Sequence, residues 1–199
     1  MFRTQKDVER ILSALGEQIE QTSEDTFELL VCGGSALTIL GLVERTTGDV
    51  DVLAYVRRGN GGRVLIVKAD PLRPELSAAA TKVARDFDLP EKWLNTEPAS
   101  AVDLGLPEGI MERVVTRRFG QKLTIHFLSR FDQIHFKLYA AVDQGARKHL
   151  DDLQALKPTS DEIEQAARWS MTHDVSEDFK QSLKGLLNYL GFKDVAEKI

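Results

Sequence analysis

The sequence predicts an α+β fold, α/β-like in its first part, with a short mixed sheet over the first two thirds and helices beyond. Three observations carry that expectation. Residues 26–32 form a short apolar run that stops at Gly33-Gly34, the pattern of a buried strand ending in a tight turn. Residues 49–56 alternate polar and apolar side chains, as a half-exposed strand does. After residue 128 the apolar positions recur at helical spacing to the end of the chain.

The remaining elements follow in order. Val8, Ile11, Leu12, Leu15 and Ile19 fall on one face of a first helix over residues 5–21. Residues 35–43 suit a short helix for which Ser35 is placed as cap. Gly59-Asn60-Gly61-Gly62 is a turn signal before a strand over 64–67. A helix over 74–87 tolerates Pro74 in its first turn. Residues 89–109 are rich in Pro, Asn and Ser and read as an irregular ordered loop. Strand-like runs over 112–119 and 122–128 flank Gly120-Gln121 as a two-residue hairpin. Helices follow over 131–144, 148–156, 159–171 and 176–190, the third opened by the capping-box pair Thr159 and Glu162.

Composition narrows the class. The chain has 199 residues, 42% hydrophobic and 29% charged, with a net charge of −5 and one cysteine. One cysteine excludes an intramolecular disulfide framework. No apolar run reaches the roughly 20 residues a spanning helix needs, so no membrane partner is expected. The first residues run into charge without the apolar core of a signal peptide, and the expected location is cytoplasmic. The acidic balance offers nucleic acid no global attraction; Arg57, Arg58 and Arg63, and then Arg113, Arg117, Arg118 and Lys122, are local basic clusters that read as solvated strand ends.

Chemistry concentrates around two carboxylates. Asp49 and Asp51 are two apart on the predicted strand, so they leave the same face, about 6.5–7 Å apart at the backbone. Such a pair is either the polar face of a half-exposed strand or a set of oxygen ligands for a hard divalent cation. The upstream glycines favour the second reading. Gly33 and Gly34 allow a ligand close to the backbone, and a helix start favours anionic oxygen. Ser35 would bond a phosphate oxygen or cap the helix; Arg45 would meet phosphate or form a surface ion pair. No Gly-x-x-x-x-Gly-Lys-Ser/Thr and no helix-opening Gly-x-Gly-x-x-Gly occurs, and His126, His135, His149 and His173 lack zinc spacing. Lys137 sits among Ile134, Phe136, Leu138, Tyr139, Ala140 and Ala141, apolar on nearly every side. A lysine there must snorkel, find a partner or line a polar cleft, and the cleft is the reading preferred.

These residues resemble a known family. Gly33-Gly34-Ser35-Ala36-Leu37 followed by Arg45-Thr46-Thr47-Gly48-Asp49-Val50-Asp51 is similar to the motif of the minimal nucleotidyltransferase superfamily. Within it the chain resembles the AbiEii-like group, which includes toxins of type IV toxin–antitoxin and abortive-infection systems, and related bacterial proteins. The likeness continues through Leu89-Pro90-Glu91-Lys92-Trp93-Leu94-Asn95, then Phe136-Lys137-Leu138-Tyr139-Ala140-Ala141 and Arg147-Lys148-His149-Leu150-Asp151-Asp152-Leu153, covering about residues 28–156.

The resemblance implies a nucleotidyltransferase-like domain over residues 1–156, with residues 157–199 as a helical extension packed on it. It implies a Mg²⁺ (or Mn²⁺) dependent enzyme that moves a nucleoside monophosphate from a nucleoside triphosphate (NTP) to an acceptor, a transfer RNA or a protein, with an antitoxin as a further partner. Asp49 and Asp51 would hold metal and triphosphate, with Gly33, Gly34, Ser35 and Arg45 against the nucleotide. Lys137 would steady charge and Asp152 orient acceptor or metal. Two departures stand out. His149 occupies the position of the group's first aspartate in this segment, leaving Asp152 on the second and Asp151 beside it. Residues 122–128 offer Thr124 and His126 where many relatives carry a third carboxylate. The alternative reading is therefore a nucleotide-binding or regulatory protein on the same fold.

Overall fold

A computed structural model describes residues 1–145 and 147–199, with Asn60 described by its backbone alone. Helix α1 (Gln5–Thr22) opens with a capping box, in which Thr4 accepts from the Asp7 amide and the Asp7 carboxylate accepts from the Thr4 amide. Its apolar stripe of Val8, Ile11, Leu12, Leu15 and Ile19 is buried. Strand β1 (Phe27–Cys32) leads into α2 (Gly33–Ile39), and β2 (Val50–Arg58) turns through residues 59–63 into β3 (Val64–Lys68). Helix α3 (Pro74–Asp86), the two-residue β4 (Leu94–Asn95), and the short helices α4 (Ala101–Leu104) and α5 (Ile110–Arg113) follow. Strands β5 (Val115–Phe119) and β6 (Leu123–Phe127) complete the sheet. The rest is helical: α6 (Arg130–Asp143), α7 (Arg147–Ala155), α8 (Ser160–His173), α9 (Glu177–Tyr189) and α10 (Lys193–Lys198).

The chain is thus an α+β protein with a mixed six-stranded sheet and flanking helices. The strand order is β3-β2-β1-β6-β5, with β4 pairing β2. β1 runs antiparallel to β2 and parallel to β6. Phe27, Leu29 and Val31 of β1, Val52 and Tyr55 of β2, and Ile125 and Phe127 of β6 join α1 and α3 in one buried core.

By contacts the chain divides into two compact units. The first is Met1–Leu106 with Met111–Leu128; the second is Pro107–Ile110 with Ser129–Ile199. This division falls at 128/129 rather than 156/157, so α6 and α7, which carry Lys137 and Asp152, group with the later helices. Within the second unit Trp169 of α8 packs against Phe136 (5.2 Å), Tyr139 (6.1 Å) and His173 (4.1 Å), and Tyr139 meets Phe179 of α9.

Several expectations need correction. The alternation predicted for β2 is absent: Val50 and Val52–Val56 are all buried, because the turn Glu97–Ser100 packs on the strand and covers a second face. The stretch 89–109 is not an irregular loop, since it contains β4, that turn and α4. Residues 110–113 are helical, and three residues, not two, separate β5 from β6. Ser35 does not cap α2. The cap position is Cys32, whose side chain makes no capping bond, because Gly33 enters the helix with φ +78° and puts Ser35 inside it. The sequence reading also missed α10. Among the described residues no helix is long and apolar enough to cross a membrane.

Candidate functional site

The site is assembled by strand register. β1 and β2 pair so that Cys32 lies opposite Asp51, which sets the glycine turn directly beside the carboxylates. The backbone shift between Leu30 and Val31 adjusts that register at the last step. Asp49 immediately precedes β2, Asp51 is its second residue, and both are half-buried.

The two glycines are dictated by space. A Cβ on Gly33 would lie 1.8 Å from Oδ2 of Asp51, and one on Gly34 would lie 2.7 Å from Nη2 of Arg45 and 2.8 Å from Oγ1 of Thr47. Any side chain there would displace a carboxylate or a guanidinium. The fold thus sets Gly33 against Asp51, and Gly34 against Arg45 and Thr47.

Two neutral side chains hold the carboxylates. The Thr47 hydroxyl donates to Oδ1 of Asp49 at 2.9 Å. The Asn95 amide nitrogen donates to Oδ1 of Asp51 at 3.0 Å. Each is itself fixed. Thr47 exchanges both backbone bonds with Phe2 (2.7 and 2.9 Å), whose ring is buried edge-on against Trp93. Asn95 accepts from the Glu97 amide at 3.0 Å, and β4 carries it opposite Asp51. Sequence reasoning assigned neither residue a role. Both partnerships are non-local, and Asn95 is 44 positions from its carboxylate. Both stand in segments that carry the family resemblance, but nothing there ties either to a carboxylate.

Ser35 Oγ and Thr38 Oγ1 are buried and have no hydrogen-bond partner among the described residues. A buried hydroxyl left this way costs about 1–3 kcal/mol. Asp49 and Asp51 supply carboxylate oxygens, the ligand type that suits a hard cation such as Mg²⁺. Among the described residues no third His, Cys, Asp or Glu joins the two aspartates. Two carboxylates completed by substrate phosphates is an ordinary Mg²⁺ arrangement, so the residues fit that ion.

The other predicted site residues lie in the second unit. Lys137 has found a partner: its Nζ is 2.8 Å from Oδ2 of Asp152, with the two side chains 6% and 1% exposed. The pair joins α6 to α7. Asp151 is exposed and lies near Arg147, while His149 bonds Gln144 at 3.1 Å. On β6, His126 is buried between Glu28 (3.1 Å) and Thr116 (2.8 Å), a pairing that ties β1, β6 and β5 together. No protein family, curated protein or solved structure matches this chain.

Proposed function

We propose that the chain is a Mg²⁺-dependent nucleotidyltransferase of the minimal nucleotidyltransferase fold, transferring a nucleoside monophosphate from an NTP to an acceptor hydroxyl. The observation that carries this reading is the register that seats Gly33-Gly34-Ser35 against Asp49 and Asp51. In this reading Asp49 and Asp51 hold the cation, and Gly34 and Ser35 meet the β- and γ-phosphates. Arg45, whose guanidinium lies against Gly34, offsets phosphate charge. The acceptor hydroxyl would bond the α-phosphorus and give up its proton to water, while pyrophosphate departs with the electrons of the broken P–O bond. A cation held by Asp49 and Asp51 would supply charge screening there. Lys137 and Asp152 neutralise each other, so their part is to hold α6 on α7, and no phosphate contact is assigned to them.

A transfer assay tests the reading. The protein is incubated with Mg²⁺, each labelled NTP in turn, and total RNA or cell lysate. Label should pass to an acceptor with at least one NTP, and Asp49→Ala should abolish it. No transfer, or transfer unchanged in Asp49→Ala, removes the enzymatic claim.

One observation favours a second reading, a nucleotide-binding regulatory protein. β6 presents Thr124 and His126 rather than a carboxylate, and His126 is already committed to Glu28 and Thr116. Calorimetric binding of an NTP with Mg²⁺, without turnover, would select it.

A further inference from the structure

We infer that Thr47 and Asn95 are positioning residues that set the two carboxylates for cation binding, an inference that rests on the cation site of the proposed function. Three features of the geometry carry it. First, each aspartate uses one oxygen, Oδ1, to accept from a neutral donor: Asp49 from the Thr47 hydroxyl at 2.9 Å and Asp51 from the Asn95 amide at 3.0 Å. A neutral donor fixes the rotamer and adds no charge of its own. Freezing the carboxylates beforehand removes a conformational cost that binding would otherwise bear.

Second, each donor has lost its own freedom. Thr47 is 5% exposed and tied through both its backbone N–H and C=O to Phe2. Asn95 accepts the Glu97 N–H through Oδ1, so its amide nitrogen must be the end that faces Asp51. Third, the two supports converge. Phe2 is 1% exposed, bonds Thr47 and packs its ring against Trp93, whose carbonyl accepts the amide of Val50, the residue between the two aspartates. The chain's second residue thus braces both arms of the pair.

The test uses the full chain with Mn²⁺ alone as probe, its affinity read from the electron paramagnetic resonance of the free ion, beside a thermal midpoint for each variant. Thr47→Val keeps the shape and removes the hydroxyl; Thr47→Ser keeps the hydroxyl. Asn95→Ser keeps an oxygen for the Glu97 amide but cannot reach Asp51. Thr47→Val and Asn95→Ser should each weaken Mn²⁺ by about 10-fold or more, with Thr47→Ser near wild type and midpoints little changed. Wild-type affinity in Thr47→Val or in Asn95→Ser, while Asp51→Asn has lost the ion, overturns the inference and leaves the cation site standing. A wild-type chain that takes up no Mn²⁺, or an Asp51→Asn chain that binds as wild type does, overturns the cation site and the inference with it.

Discussion

At the scale of single residues, the second unit contains a charge arrangement whose energetics can be signed. Arg130 donates to both carboxylate oxygens of Glu162, at 2.6 and 3.1 Å, and to the carbonyls of Leu156 and Lys157, each at 2.8 Å. Glu162 also accepts from the Thr159 amide, closing the capping box of α8. One side chain of α6 therefore gathers the end of α7 and the start of α8. The hydrogen bonds from Arg130, with those from Thr159, hold the Glu162 carboxyl below its usual value of 4.5. A depressed carboxylate pKa contributes stability that is complete above the usual value and is lost as pH falls through the folded one. Glu162→Gln should therefore be about 1–2 kcal/mol less stable than wild type near neutral pH, through the weakened clamp and cap. That gap should close as the pH is lowered toward 3. Urea midpoints at several pH values measure it, and a gap that stays constant down to pH 3 would contradict the charge argument.

At the scale of elements, the legible parts were those specified locally. Helix α1, the glycine turn after β1 and the capping box of α8 each follow from a few adjacent residues, and each is present. What could not be read depends on distant partners. β4 is two residues long and exists because Leu94 and Asn95 find Val50 and Asp51. The hairpin loop is one residue longer than Gly120-Gln121 suggests, and Lys122 bonds the Ser23 carbonyl at 2.6 Å. Gly16 shows the same limit. In a helix interior, glycine to alanine ordinarily gains about 1 kcal/mol. A Cβ on Gly16 would sit 2.0 Å from the carbonyl oxygen of Phe119, so α1 and β5 are in backbone contact there. Forcing them apart costs about 1–3 kcal/mol or more, which outweighs the helix gain. Among the described residues, and apart from the backbone of its own helix, nothing lies within 4 Å of a would-be Cβ on Gly185 in α9. Gly16→Ala should thus lower stability by roughly 1–3 kcal/mol while Gly185→Ala raises it by about 0.5–1 kcal/mol. Denaturant titrations of the two variants decide it, and equal signs would refute the contact argument.

At the scale of the whole molecule, the candidate site belongs to the sheet unit and is framed by segments far apart in sequence. The motif residues Gly33, Gly34, Ser35, Asp49 and Asp51 were visible because the chemistry they suit restricts residue type and spacing together. Phe2 was not, and Thr47 and Asn95 were visible only as members of the segments that carry the resemblance, because their bonds exist only once the fold brings them together. Lys137 was read as lining a polar cleft, and only the packing of α6 on α7 shows its pairing with Asp152. A site built this way couples ligand to fold. The buried hydroxyls of Ser35 and Thr38 are unpartnered among the described residues, and Asp49 and Asp51 are half-buried. An NTP with Mg²⁺ would satisfy these groups only in the native state, and a ligand bound only there stabilises by mass action. At a free concentration one hundred times its dissociation constant the gain is about 2.7 kcal/mol. For a chain of this size that raises the unfolding midpoint by about 5–10 °C. Scanning calorimetry with a nonhydrolysable analogue of each NTP should show that rise for at least one of them, and Asp51→Asn should abolish it. A rise that survives in Asp51→Asn would move the nucleotide to another part of the molecule. No rise with any of the four would remove the nucleotide pocket, and with it both the enzymatic and the regulatory reading.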